Sequence, residues 1–234
     1  MDQGILYLLP SDFGEDSLIL LPKYAIDTIQ SLDMFIVENE KSARHFLKRI
    51  GYPKPINSII LFALNEHTST EEITHYLDPL KRGISMGVLS EAGCPGIADP
   101  GAEIIKLAHQ YSILVKPLVG PSSILLALMA SGFNGQHFIF HGYLPKEKTT
   151  RIKMIQKMES DVLNKNQTQI FIETPYHNNN LFKEIIETCS KNTKLCIATE
   201  ITLPTEFIKT LTIDKWKNAV PDLHKRPTVF LLYK

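Results

Sequence analysis

The stretch SEAGCPGIADPG, residues 90–101, is where the chain declares its architecture. Glycine or proline fills Gly93, Pro95, Gly96, Pro100 and Gly101, and the stretch joins the apolar run ISMGVLS (84–90) to the helix-periodic AEIIKLAHQ (102–110). An apolar strand, a loop of special backbone and an amphipathic helix make one βα unit. In open α/β sheets ligands bind in the crevice outside the carboxyl ends of the strands, where this loop falls. Glycines there let backbone approach a ligand, and prolines hold the loop in one shape. The alternative is a plain strand-to-helix connection, since turns use the same residues. The spacing is not G-x-x-x-x-G-K-[ST], and no G-x-G-x-x-G follows the first strand, so neither a nucleoside triphosphate nor a dinucleotide is indicated.

Working outward, β-rich runs alternate with helical periods, as in a mainly parallel sheet. The first half offers strands at 4–10, 34–39, 58–64, 85–90 and 113–119, with helices between them. SARHFLKRIG (42–51) ends on basic residues and Gly51, and STEEITHYLDPLKRG (69–83) opens with Ser, Thr and acids and closes on Lys81, Arg82 and Gly83, all in keeping with the helix dipole. GPSSILLALMASG (120–132) reads as a buried helix bridging two halves. Beyond it lie strands at 138–145, 168–174, 194–201, 206–213 and 227–234, and helices at 148–160 and around NNLFKEIIETC (179–189). The last three strands need no long helix between them, so the second sheet is expected to be mixed. The fold class is therefore α/β, with an N-terminal domain over 1–119 and a C-terminal domain over 120–234.

Composition narrows function. The chain has 234 residues, 44% hydrophobic and 21% charged, as in ordinary globular proteins. Lys plus Arg and Asp plus Glu both number 25, so no global basic field attracts nucleic acid and any such contact must be local. Cys94, Cys189 and Cys196 are odd in number and show no C-x-x-C spacing, which argues against a disulfide framework or a zinc site. The N-terminus MDQGILYLLPSDFG has acid where a signal peptide has base, and its apolar run is too short to span a membrane. We expect a cytoplasmic protein without a metal or a membrane.

The segments VLSEAGCPGIADPGAEII, VKPLVGPSSILLALMASGF, FIFHGYLPKEKTTR, QIFIETPYH and ATEIT stand in the order and spacing of the tetrapyrrole methylase-like S-adenosylmethionine methyltransferases. Among these the chain most resembles the branch that methylates a ribose 2′-hydroxyl of small-subunit ribosomal RNA. The resemblance implies two α/β domains with S-adenosylmethionine in the cleft between them, and a homodimer. Carried over motif by motif, it assigns the cofactor to Pro10, Glu91, Ala92, Gly93, Gly96, Ser122 and Ser123, with Glu173 and Thr228 from the second domain. The branch's opening TPIGN is replaced by LLPSDFGED, its EDTR-like segment by VENEKSARHF and its SPHR by TPYHNNN. Two expected arginines are displaced or absent, and Arg44 is the substitute for the first.

For RNA the remaining basic residues are Lys146, Lys148, Arg151, Lys153 and Lys157 beside Tyr143, which track a strand or simply solvate a helix face. Methyl transfer to a hydroxyl needs no metal, but its proton needs a base. Glu38, Glu40, Glu91, Asp99 and Glu173 are all candidates, and the sequence does not rank them. Cys94 has no His partner nearby and reads as a structural thiol. His141 and His177 read as polar surface or core groups, and Trp216 as an edge or dimer-surface residue. The alternatives to an RNA methyltransferase are methylation of a small molecule such as a tetrapyrrole, and a non-catalytic paralogue that binds S-adenosylmethionine or a partner.

Overall fold

The structure, a computed structural model, describes residues 3–65 and 68–234. The chain divides into two compact units, Met1–Ser122 and Ser123–Lys234. In the first, strands β1 (Ile5–Leu9), β2 (Met34–Val37), β3 (Ile60–Ala63), β4 (Met86–Leu89) and β5 (Leu114–Pro117) form an all-parallel sheet in the order β3-β2-β4-β1-β5. A parallel sheet is covered on both faces, and successive residues serve opposite cores. Phe35, Val37, Leu9 and Leu89 point into one apolar cluster, with helices α1 (Lys23–Ser31) and α2 (Glu40–Arg49). Ile36, Leu6, Met86 and Val88 point into the other, with α3 (Thr70–Tyr76), α4 (Asp78–Lys81) and α5 (Gly101–Gln110).

The single helix expected over 69–83 is two. Pro79, in the first turn of α4, has no amide hydrogen to donate into the helix ladder, so the run of helical hydrogen bonds is broken at Leu77. The entry into α3 follows its sequence: Ser69 Oγ accepts from the Glu72 amide at 3.2 Å, and Glu72 Oε2 accepts from the Ser69 amide at 2.9 Å, a reciprocal cap.

The second unit starts with α6 (Ser123–Ser131) and carries β6 (Phe138–Tyr143), α7 (Lys148–Lys165), β7 (Thr168–Ile172), α8 (Asn178–Thr188), β8 (Lys194–Thr199), β9 (Phe207–Thr212), the short α9 (Ile213–Trp216) and β10 (Thr228–Tyr233). Its sheet runs β6-β7-β10-β8-β9, parallel only between β6 and β7 and antiparallel elsewhere, the mixed sheet the sequence implied. β10 shows the period of two: Phe230 and Leu232 pack with α7 and α8, Val229 and Leu231 with α6. Trp216 corrects its expectation. It is fully buried, its ring edge-on to Phe182 and Phe207, and its Nε1 donates to the Leu195 carbonyl at 2.9 Å. An indole both packed and hydrogen-bonded belongs to a core, not an edge. Among the described residues no helix is long and apolar enough to cross a membrane.

Candidate functional site

The glycine and proline loop leaves the carboxyl end of β4, as its sequence predicts. Gly93 adopts φ +75° and Gly96 φ +81°, conformations that glycine reaches without strain. Gly93 exchanges two backbone hydrogen bonds with Ser11, at 2.9 and 3.2 Å, tying this loop to the one after β1. A Cβ on Gly93 would lie 3.1 Å from the Phe13 ring and 3.3 Å from the Pro121 carbonyl. A Cβ on Gly120 would lie 2.0 Å from Pro10. The ends of β1, β4 and β5 therefore meet in a backbone floor that tolerates no side chain at these points. Asp99 fixes the rest of the loop, its Oδ1 accepting from the amides of Gly96 at 2.7 Å and Gly101 at 2.8 Å.

Beside this floor lies a cavity of about 230 Å³ at the carboxyl ends of β1, β2 and β4. Its walls include Phe13, Val37, Phe46 and Leu89, and its polar groups include Asp12, Glu38, Ser42, Arg49 and Glu91. Glu38 follows β2 and accepts from the Glu91 amide at 3.4 Å. Burial, then the neighbouring carboxylates of Asp99 and Glu91, hold its carboxyl above the usual range. Glu91 is exposed and accepts from Ser42 Oγ at 3.0 Å. The structure thus separates the acids that the sequence left unranked. Glu40 is exposed on α2 and pairs with Arg44 at 3.4 Å, Asp99 has its Oδ1 taken by the loop amides and its Oδ2 buried, and Glu173 accepts from the Thr174 amide at 2.6 Å. Glu38 alone of the five combines cavity lining with a raised pKa.

The first unit gathers Pro10, Glu91, Ala92, Gly93 and Gly96 around the floor and cavity, and Ser122 follows Pro121 at its end. Arg44 lies on α2, where its Nη1 donates to the Ile56 carbonyl at 2.9 Å. The second unit holds Ser123, the first residue of α6, with Glu173 and Thr228. Thr228 opens β10, where its hydroxyl lies 2.9 Å from Thr199 Oγ1 and from the Arg226 carbonyl. Lys146, Lys148, Lys153 and Lys157 are exposed. Arg151 differs: its guanidinium is bidentate to Glu184 at 2.6 and 2.7 Å and also donates to the carbonyls of Pro145 and Lys146. Lys146, Arg151, Glu173, Thr174 and His177 line a second cavity of about 480 Å³ within this unit.

Cys94 is half-buried with its thiol 3.3 Å from the Pro121 carbonyl, and burial pushes its pKa up, the opposite of an activated nucleophile. His141 lies 2.7 Å from Gln169 Oε1, a core polar contact. Among the described residues no group of three or more His, Cys, Asp or Glu could hold a metal ion. Asp12 and Arg49 went unremarked in the sequence, where they stand 37 positions apart. The one sign was the acid added where TPIGN was lost.

No family model matches the chain. It is 30% identical to the ribosomal RNA small subunit methyltransferase I of Buchnera aphidicola from Schizaphis graminum over 205 residues, 88% of this chain and 68% of that protein. The Buchnera aphidicola protein from Acyrthosiphon pisum, of the same name, is 31% identical over 205 residues, with 88% and 69% coverage. In fold, the chain resembles the methyltransferase CobJ, with TM-score 0.65, 15% identity, and 99% and 94% of the two chains covered. It also resembles a diphthine synthase, with TM-score 0.69, 12% identity, and 98% and 89% coverage. The two-unit α/β architecture expected from the motifs is thus the fold of solved methyltransferases. With relatives of this identity matched over most of its length, the chain belongs to the ribosomal RNA small subunit methyltransferase I family.

Proposed function

We propose that this protein transfers a methyl group from S-adenosylmethionine to RNA, at a ribose 2′-hydroxyl of the small-subunit ribosomal RNA. The observation that carries the reading is Glu38, a half-buried carboxyl held above its usual pKa in a cavity at the strand ends, where a hydroxyl proton could be taken. For the cofactor, Pro10, Gly93 and Gly96 are the candidate contacts along the backbone floor, with Glu91, Ala92 and Ser122 beside it. In the second unit Ser123, Glu173 and Thr228 are the candidate contacts. When bound, S-adenosylmethionine supplies a methyl carbon already activated by its sulfonium. The chain's own work is to hold the acceptor oxygen in line, at a separation of about 3–3.5 Å, and to remove its proton.

Glu38 receives that proton, and its Glu91 amide contact fixes the carboxyl while Phe13, Phe46 and Leu89 keep water away. RNA affinity outside the cavity is assigned to Lys146 and Lys148, with Arg44 beside the first site; Arg151, engaged by Glu184, acts by shaping the loop that carries Lys146. The protein is further proposed to be a cytoplasmic homodimer. Exposed Leu125 and Met129 on α6 and Ile139 on the edge strand β6 are the kind of apolar surface a partner covers. Light scattering of the purified chain tests the dimer.

The decisive experiment is transfer of labelled methyl from S-adenosylmethionine to small-subunit RNA from cells lacking this protein. Incorporation that survives alkaline hydrolysis as a 2′-O-methyl dinucleotide supports the reading. Labelling of a small tetrapyrrole instead, or calorimetry showing no S-adenosylmethionine binding by the folded chain, overturns it.

A further inference from the structure

We propose that the buried Asp12 and Arg49 pair reads the hydrogen-bonding edge of a nucleobase of the acceptor RNA, an inference that rests on the RNA reading above. Arg49 ends α2 and its Nη2 donates to Asp12 Oδ1 at 2.7 Å. Asp12 is 4% exposed and Arg49 20%. Asp12 Oδ2, Arg49 Nε and Arg49 Nη1 are buried with no partner, and they are three of the six such side-chain atoms among the described residues. A buried ion pair recovers its desolvation cost only when its remaining lone pairs and protons are satisfied. Here one acceptor and two donors are left over in residues that line a cavity.

The loop is built to keep them there. Ser11 is bridged to Gly93, its Oγ donates to the Ser90 carbonyl at 2.9 Å, and the Phe13 amide donates to Ser17 Oγ at 2.9 Å. Such anchoring on both sides of Asp12 holds the site in shape before a ligand arrives, which lowers the entropy lost on binding.

Charge then selects the ligand. Asp12, Glu38 and Glu91 set three carboxyl groups against the Arg49 guanidinium and the His45 imidazole in the cavity, a balance that disfavours a phosphate. A neutral, flat group with both donors and acceptors on its rim satisfies Asp12 and Arg49 together, while Phe13 lines the cavity as an apolar wall and the buried Phe46 ring lies under the Arg49 guanidinium. A nucleobase turned out of its strand has this chemistry, and arginine and aspartate are side chains that pair with base edges. The backbone phosphates stay outside the cavity.

The test uses the full chain carrying fluorinated phenylalanine, saturated with S-adenosylhomocysteine so that the cofactor site is closed to competitors. Cytidine, guanosine, uridine, ribose 5-phosphate and inorganic phosphate are titrated in turn while the Phe13 and Phe46 resonances are followed. Saturable shifts with nucleosides and none with the two phosphates are expected. Asp12→Leu/Arg49→Met, which replaces both charges rather than stranding one, should abolish the nucleoside shifts and leave S-adenosylhomocysteine affinity within about twofold, a difference of about 0.4 kcal/mol. Shifts with inorganic phosphate, nucleoside binding unchanged in the double variant, or no nucleoside shift in the parent each overturn the proposal. So does a large loss of S-adenosylhomocysteine affinity, which would place the pair in the cofactor site. Methyl transfer to RNA is scored separately, so failure of the RNA reading is distinguishable from failure of this one.

Discussion

Glu38 shows how much one position can decide. In the sequence it is one acid of five; in the structure burial and two neighbouring carboxylates raise its pKa, and it lines the cavity. A base works only when deprotonated, so the acid limb of the rate profile should lie above the ordinary glutamate range. Glu38→Gln should lower kcat about 10²–10⁴-fold and remove that limb, with S-adenosylmethionine affinity retained. The same shift acts on stability. The folded chain keeps a proton that the unfolded chain releases, so Glu38 favours folding below the unfolded value and that contribution is lost as pH rises through the folded one. In Glu38→Gln, chemical denaturation across this window should show a flatter dependence on pH. Cys94 gives the converse case: a thiol with a raised pKa turned toward a carbonyl is structural, and Cys94→Ala should keep methyl transfer within a few-fold.

At the scale of elements, the second unit depends on a tie between α7 and α8. Arg151 and Glu184 are mostly buried and bidentate, and the guanidinium holds the Glu184 carboxyl below its usual range. Removing one partner strands a buried charge, so Arg151→Met should cost about 3–5 kcal/mol in denaturant unfolding, whereas Arg151→Met/Glu184→Met should recover most of it. Because the folded pKa of Glu184 is lowered, its contribution is present above the unfolded value and lost as pH falls through the folded one. The strands and most helices were legible because each has one dominant period, as in β10 with Val229 and Leu231 opposite Phe230 and Leu232. The break at Leu77 was written in Pro79 but overruled by the surrounding helical pattern. The burial of Trp216 and the ion pair of Arg151 were illegible for a different reason. Local sequence shows a polar neighbourhood, DKWKN for one and a lysine-rich helix for the other, while their partners Leu195 and Glu184 arrive from distant positions. The glycine loop of the site was legible because its φ angles need glycine. Asp12 and Arg49 were not, because an ion pair between a loop and a helix end leaves no local period.

For the whole molecule, zero formal net charge means that affinity for RNA must come from where the charges sit rather than how many there are. The cavity of the first unit is acidic, with Glu38, Glu91 and Asp12, and repels the backbone. The exposed lysines at 146, 148, 153 and 157 in the second unit are the counterweight. If they meet phosphates of a single strand, each contributes counterion release, and the slope of log affinity against log salt should fall by about 0.7 for every lysine replaced by glutamine. Filter binding of small-subunit RNA across a salt series, with the four replaced singly and together, reads this directly. A parent slope that is kept in the fourfold variant would mean the lysines only solvate α7 and that RNA is held elsewhere. A slope that falls stepwise, with little change in which RNA is methylated, would assign them to positioning. Specificity would then be left to the cavity, where charge excludes the phosphate and admits the base.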